Sequence, residues 1–185
     1  MPLIGAVFYF SKSPRFLPEG LIWNKLMSLS ILSIVLPILV FFLLKTIGKA
    51  DSIYFKRVEQ RKLPLLINSL ILLILLFRVF PSYQIIELHY FFMAILMSNI
   101  ACFILALVKF KVSLHMVGIC GVFSFFIMLA IQYSININGT LALMSILTGA
   151  VASARLYLKA HTGLEILVGL CIGILPQIMV INYWF

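Results

Sequence analysis

The sequence predicts an all-α, polytopic integral membrane protein: a six-transmembrane-helix bundle with a short apolar N-terminal segment. Of its 185 residues, 64% are hydrophobic and only 10% are charged. The apolar residues gather in runs close to the ~20 residues that a helix needs to cross a bilayer. The charged residues stand mainly in short connections between these runs, which is typical of membrane topology. No connection is long enough for a soluble domain, so we expect residues 1–185 to form a single membrane domain.

Each predicted helix follows from an apolar run and its boundaries. The spans are expected at residues 25–45, 63–80, 88–108, 113–133, 139–157 and 162–182. Pro37 predicts a kink in the first span, and Pro64 suits the first turn of the second. The sequence Asn136-Ile137-Asn138-Gly139 predicts the turn between the fourth and fifth spans. Residues 1–10 are apolar but too short to cross, so we expect an interfacial or half-inserted piece.

Polar and small residues inside the runs predict contacts between helices. Ser98 and Asn99 in the third span are expected to make interhelical hydrogen bonds. Gly169 and Gly173 in the sixth span form a small-xxx-small pattern, which favours a close approach of two helix backbones.

Composition also narrows the function classes. The net charge is +9, but no basic stripe on a soluble fold is present, so we expect no nucleic-acid partner. The three cysteines lie inside apolar runs without metal-ligand spacing, and we expect neither a metal site nor a cofactor. The expected partners are membrane lipids, foremost a lipid phosphate. A membrane protein partner or a homo-oligomer remains open.

The distribution of basic residues predicts one membrane face. In an up-and-down bundle, the connections 1–2, 3–4 and 5–6 lie on the same side. This face carries ten Lys and Arg residues, whereas the other carries four. The positive-inside rule therefore favours a cytoplasmic location for the richer face. We expect the chain to reside in a bacterial inner (plasma) membrane.

Five polar side chains on the basic face have the chemistry of a phosphate site. His115 and His161 stand at helix starts, where unpaired backbone N–H groups and the helix dipole favour a bound anion. Arg155 offers a planar fork that matches phosphate oxygens. Lys111 adds a positive charge, and the Ser113 hydroxyl can complete the cradle.

The same face carries a candidate catalytic set. Glu165 follows His161 by four residues and so shares its helical face. A carboxylate there can accept a hydrogen bond from one ring nitrogen, which leaves the other nitrogen to attack phosphorus. His115 can then protonate the leaving oxygen as a general acid.

These residues resemble two motifs of the type 2 phosphatidic acid phosphatase superfamily, which includes the vanadium haloperoxidases. The family's second motif is Pro-Ser-Gly-His, and the chain has Val112-Ser113-Leu114-His115. Its third motif is Ser-Arg, five residues, His, three residues, Asp. The chain keeps this spacing with Arg155, His161 and Glu165, so Ala replaces Ser and Glu replaces Asp.

The family's first motif, Lys, six residues, Arg-Pro, is matched in part. Counting from Lys56 places Pro64 in the proline position, while Leu63 occupies the arginine position. Arg57, Arg61 or Lys62 can substitute for the arginine, and Lys56 and Arg61 are the candidate phosphate ligands from this segment. The resemblance covers roughly residues 50–182.

The resemblance implies a metal-independent phosphatase that acts on a lipid-linked phosphate monoester or diphosphate through a phosphohistidine. His161 would be the nucleophile, Glu165 its orienting carboxylate and His115 the acid. The departures from the family motifs leave a second class open: a catalytically degenerate relative that serves as a lipid-binding or structural subunit. A transporter is disfavoured, since no inverted repeat is apparent.

Overall fold

The computed structural model describes residues 1–46 and 58–184, and within them every regular element is helical. Six helices in these ranges are long and apolar enough to cross a membrane. They are Glu19–Leu43, Lys62–Val79, Ile86–Leu107, Leu114–Tyr133, Asn138–Tyr157 and Gly163–Tyr183. The predicted fold class is confirmed, and the chain is an integral membrane protein by the length and apolar character of its helices.

Eight α-helices build these spans together with the N-terminal segment. They are α1 (Pro2–Lys12), α2 (Glu19–Ser30), α3 (Leu36–Thr46), α4 (Lys62–Ile74), α5 (Ile86–Leu107), α6 (Leu114–Tyr133), α7 (Asn138–Tyr157) and α8 (Gly163–Val180). A π-helical turn, Ile31–Val35, joins α2 to α3 into one span. A second one, Leu75–Val79, extends α4.

The first span starts earlier than predicted. We expected Lys25 to mark its boundary, but the helix begins at Glu19, directly after Pro18. Lys25 stays inside the helix because its ammonium group donates to the carbonyl oxygen of Val79 and to Gln84. A π-helical turn, Ile31–Val35, directly precedes the segment where Pro37 predicted a kink.

The N-terminal helix α1 packs inside the bundle. Ala6 and Tyr9 are fully buried, and Phe8 stacks on Phe126 of α6 with ring centroids 3.9 Å apart. Of the two expected placements for residues 1–10, these contacts favour the half-inserted one over the interfacial one.

Helices α6 and α8 approach closely at the two predicted glycines. A Cβ atom on Gly169 would lie 2.9 Å from the carbonyl oxygen of Ser113, and one on Gly173 would lie 2.7 Å from that of Val117. Any larger residue would push these backbones apart, so the prediction of close packing is confirmed.

The predicted interhelical hydrogen bonds of α5 are also present. Asn99 donates to the Leu65 carbonyl at 2.8 Å and to Ser69 at 2.7 Å. Ser98 donates to the Ile172 carbonyl of α8 at 2.8 Å. Helix α5 is thereby tied to both α4 and α8.

A buried carboxylate, Glu87, anchors the end of the bundle where α6 finishes. It is 2% exposed and accepts hydrogen bonds from Tyr9 at 3.0 Å and Tyr133 at 2.6 Å. Arg15 lies 3.0 Å from it as a counter-ion. Burial raises the pKa of Tyr9, so this phenol stays a hydroxyl donor. We call these four residues the Glu87 cluster.

Candidate functional site

The segments that precede α4, α6 and α8 meet at one end of the bundle. The Ser113 amide donates to the Glu165 carbonyl at 3.3 Å, which joins the first turns of α6 and α8. Arg61, just before α4, donates through Nη1 to the Val112 carbonyl at 3.0 Å. The predicted convergence of these helix starts on one face is therefore confirmed.

His161 is held by two acceptors on the same ring nitrogen. Its Nδ1 lies 2.8 Å from Glu165 Oε2 and 3.2 Å from the Lys111 carbonyl oxygen. Neither oxygen can donate, so Nδ1 carries the proton and donates to both. In the neutral ring, Nε2 then keeps its lone pair and is the nitrogen left for a ligand.

Glu165 has a second task at the start of α8. Oε2 also accepts from the Thr162 amide at 3.2 Å, while the Glu165 amide donates to Thr162 Oγ1 at 3.3 Å. This reciprocal pair is a capping box, which satisfies two backbone donors at the helix start. The sequence Thr162-Gly-Leu-Glu165 thus fixes the carboxylate that orients His161.

Burial sets the protonation state of His161. Its side chain is 6% exposed and that of Glu165 is 18% exposed. Desolvation lowers the pKa of His161, and the Glu165 carboxylate opposes this by favouring the charged ring. Desolvation prevails, so His161 is neutral at pH 7 and Nε2 is unprotonated.

The two loops that carry the histidines are braced against each other. Lys111 Nζ donates to the Ala160 carbonyl at 3.1 Å, while the Lys111 carbonyl accepts from His161. Each loop leaves its helix through a lysine in the left-handed conformation, Lys109 at φ 63° and Lys159 at φ 49°. Such residues end a helix and satisfy its last carbonyls.

A cavity of about 1010 Å³ extends from this end into the bundle. Its polar end is lined by four cations and both histidines: Arg61, Lys111, Arg155, Lys159, His115 and His161. None of the lining residues in the described chain is Asp or Glu, so this end attracts anions. We call it the cationic end.

The remainder of the cavity is mainly apolar. It runs along α4 from Arg61 as far as Leu75, which is roughly 20 Å at about 1.5 Å per residue. Residues of α3, including Pro37 and Phe41, line another side. An apolar cavity of this length with cations at one end fits a long apolar chain joined to an anionic head. Its length is within the ~30 Å thickness of the hydrocarbon core of a bilayer.

Arg155 has an uncommitted donor at the cationic end. Its Nε is buried and has no hydrogen-bond partner in the described residues. A buried guanidinium donor without a partner is costly, and a phosphate oxygen at the cationic end would satisfy it.

Not every predicted residue reaches the cavity. His115, His161, Arg155, Lys111 and Arg61 line it. Arg61 and Lys111 also donate to backbone carbonyls, so they brace the site as well as charging it.

Ser113 does not line the cavity. It is fully buried and faces Gly169, where an added Cβ would lie 3.6 Å from its own. Its hydroxyl oxygen is buried without a hydrogen-bond partner in the described residues. Lys56 lies outside the described residues.

Sequence reasoning gave no functional role to several polar residues that line this cavity, among them Lys159, Ser33 and Gln177. Lys159 stands in the loop between Arg155 and His161, and its position in the third motif was the available signal. Ser33 and Gln177 lie far from the motifs, and a lone polar residue in an apolar run was their only signal.

Residues 1–46 and 58–184 do not contain a set of side chains placed to bind a metal ion. In these ranges no three His, Cys, Asp or Glu side chains come together in a group that could hold an ion. His161 instead bonds Glu165 and the Lys111 carbonyl, and His115 lines the cavity.

Comparisons with family models, with curated proteins and with solved structures found no match for this chain.

Proposed function

We propose that this protein is an integral membrane phosphatase that hydrolyses a lipid-linked phosphate monoester or diphosphate through a phosphohistidine. The observation that carries the proposal is the double hold on His161 Nδ1 by Glu165 and the Lys111 carbonyl. This hold leaves Nε2 as an unprotonated nucleophile beside a cavity end that is lined by cations. The resemblance to the type 2 phosphatidic acid phosphatase motifs supports the same assignment.

The cavity supports a lipid as the substrate. Its volume of about 1010 Å³ is at the upper end of the range for small-molecule sites, roughly 300–1,000 Å³. An amphiphile can place its phosphate between Arg155 and the histidines while its chain follows the apolar wall of α4.

The proposed reaction has two steps. His161 Nε2 attacks phosphorus, the bond from phosphorus to the lipid oxygen breaks, and His115 donates a proton to that oxygen. Water then attacks the phosphohistidine, His115 takes a proton from the water, and inorganic phosphate leaves. Glu165 stabilises the positive charge that builds on the His161 ring.

The test is phosphate release from a panel of lipid phosphates by the purified full-length chain in detergent. We expect turnover that vanadate inhibits competitively, because vanadate mimics five-coordinate phosphorus, and that chelators leave unchanged. His161→Ala should lower turnover by roughly 10³-fold or more. His89→Ala is the matched control, because His89 bonds the Phe80 carbonyl and does not line the cavity.

A second candidate is a lipid-binding subunit without turnover. One observation favours it: two of the expected phosphate ligands, Arg61 and Lys111, donate to backbone carbonyls. Lipid phosphate that binds to the wild type and is never hydrolysed, with no change in His161→Ala, would support this candidate and contradict the phosphatase.

We also propose that the cationic end faces the cytoplasm of a bacterial inner membrane. The excess of Lys and Arg on this face supports the orientation. A reporter fused after Phe185 should then be active only outside the cytoplasm, and activity inside the cell would contradict the orientation.

A further inference from the structure

The cavity has a second polar region far from the cationic end. Gln177 of α8 and Ser33 of the π-helical turn both line it. Gln177 is 1% exposed, and its Oε1 has no hydrogen-bond partner in the described residues. The same holds for the hydroxyl oxygen of Ser33. We call these two residues the deep polar pair.

The deep polar pair lies well inside the membrane region. Gln177 stands roughly 21 Å along α8 from Gly163, and Ser33 lies roughly 20 Å along the first span from Thr46, at about 1.5 Å per residue. Both distances are counted from helix ends on the side of the cationic end. The hydrocarbon core is ~30 Å thick, so the lipid around the bundle offers these two residues no hydrogen-bond partner at this depth.

Local alternatives do not satisfy these two groups. Ser28 and Ser30, in the same span, donate to carbonyls four residues earlier at 2.8 Å each. Ser33 makes no such bond. Gln177 uses its Nε2 on the Phe91 carbonyl at 3.5 Å, so Oε1 is the end of the amide that is left over.

Other polar residues along the cavity differ from the deep polar pair. Asn68 donates to Asn99 at 3.0 Å, and Ser98 donates to the Ile172 carbonyl. Their hydrogen bonds tie helices together, whereas Gln177 Oε1 and the Ser33 hydroxyl contribute an acceptor and a hydroxyl with no protein partner.

We propose that the deep polar pair is a binding subsite for a hydroxyl group carried near the far end of the ligand's apolar chain. A hydroxyl both donates and accepts, so it can donate to Gln177 Oε1 or form a hydrogen bond with the Ser33 hydroxyl. The substrate class is then a lipid phosphate with a hydroxylated chain about as long as the cavity. This inference rests on the proposed function, because it requires the phosphate to bind at the cationic end.

The test compares the binding of hexadecylphosphonate with that of its ω-hydroxy counterpart to the full-length protein. Phosphonates hold the phosphorus through carbon and are not hydrolysed, so affinity is measured without turnover. We expect the ω-hydroxy ligand to bind about tenfold tighter, as one satisfied buried hydrogen bond implies.

Substitutions of Gln177 and Ser33 test whether these residues cause the preference for the ω-hydroxy ligand. Gln177→Leu should abolish it and Ser33→Ala should reduce it, while both variants bind the shorter decylphosphonate as the wild type does. Gln132→Leu and Ser124→Ala are controls, since these residues do not line the cavity and bond the Trp184 and Cys120 carbonyls.

The possible failures are distinguishable. Equal affinity for the plain and hydroxylated ligands would overturn the subsite and leave phosphonate binding at the cationic end intact; water would then be the partner of these groups. Failure of both ligands and of decylphosphonate to bind would overturn the proposed function together with the subsite.

Discussion

A buried carboxylate, Glu87, and a partly buried one, Glu165, stand at opposite ends of the bundle, and their surroundings differ in one respect. Glu87 is enclosed by Tyr9, Tyr133 and Arg15, and both of its oxygens are used within the protein. Glu165 also has protein partners, but the ring it orients faces a cavity. A polar cluster whose groups are all paired stabilises a fold, whereas one that leaves a nucleophile and a cationic donor uncommitted is suited to a ligand.

Of the two carboxylates, Glu165 is the one whose change to an amide should lower turnover most. Glu165→Gln keeps the capping box, which accepts Glu or Gln at this position, and keeps an oxygen for His161 Nδ1. It removes the negative charge that stabilises the His161 ring in the transition state. We expect turnover to fall on the order of 10²-fold with little change in thermal stability, as measured by phosphate release and by thermal unfolding in detergent.

The same substitution at Glu87 should have the opposite consequence. Glu87→Gln supplies one acceptor where two tyrosines donate, and it leaves Arg15 without its counter-ion. We expect a loss of roughly 2–3 kcal/mol in stability, seen as a melting temperature lower by about 5–10 °C. Turnover per folded molecule should stay as in the wild type, and Glu19→Gln, at an exposed site, is the control.

If Glu87→Gln lowers turnover per folded molecule as much as Glu165→Gln does, the distinction between the two ends is wrong.

Helix packing at the site end gives a smaller effect that touches both stability and turnover. A Cβ on Gly169 would lie 2.9 Å from the Ser113 carbonyl oxygen, so Gly169→Ala must shift α8 away from α6. We expect a stability loss of about 1–3 kcal/mol. Turnover should also fall, because the shift would strain the hydrogen bond from the Ser113 amide to the Glu165 carbonyl.

Gly149→Ala is the counterpart of Gly169→Ala, since a Cβ there meets no atom within 4 Å. It should stabilise α7 by roughly 0.5–1 kcal/mol, because alanine loses less backbone entropy than glycine in a helix. Equal behaviour of the two glycine variants would contradict the close contact of α6 with α8.

The smallest expected effect is on the pH profile. His161 must be neutral to attack, and burial lowers its pKa below the ordinary value of about 6.5. The acid limb of kcat/KM should therefore lie below pH ~6.5, and because His115 must carry a proton to act as the general acid, kcat/KM should fall again on the alkaline side of a bell-shaped profile. Because Glu165 raises the pKa of His161, the acid limb should move to lower pH in Glu165→Gln. An acid limb that moves to higher pH in this variant would contradict the pairing.

Much of the fold was predictable because membrane helices can be recognised in a sequence by their length and apolar character. The six spans and the meeting of the helix starts followed from apolar runs and the parity of their connections. The start of the first span was not predictable in this way, because a lysine such as Lys25 usually marks the end of an apolar run. In the structure, its ammonium group donates hydrogen bonds to the Val79 carbonyl and to Gln84.

The spacing of the candidate site residues along the chain was predictable, but the direction in which each side chain faces was not. The four-residue spacing predicted the pairing of His161 with Glu165, although His161 precedes α8 and its N-cap Thr162, so the two side chains meet across the capping turn and not on a helical face. Ser113 lies two residues from His115, and helical rotation turns it toward Gly169 while His115 lines the cavity. The bonds from Arg61 and Lys111 to backbone carbonyls depend on tertiary contacts that no local pattern encodes.

The central claim is that His161 is the nucleophile, and trapping its phosphoryl intermediate tests this most directly. Purified protein is mixed with a lipid phosphate carrying radioactive phosphorus, quenched within the first turnovers and divided between acid and alkali. We predict a label on the protein that is lost in acid and survives alkali, as a phosphorus–nitrogen bond requires, and that is absent in His161→Ala. A label of the same stability on His161→Ala, or phosphate release by the wild type with no labelled protein at any quench time, would contradict the claim.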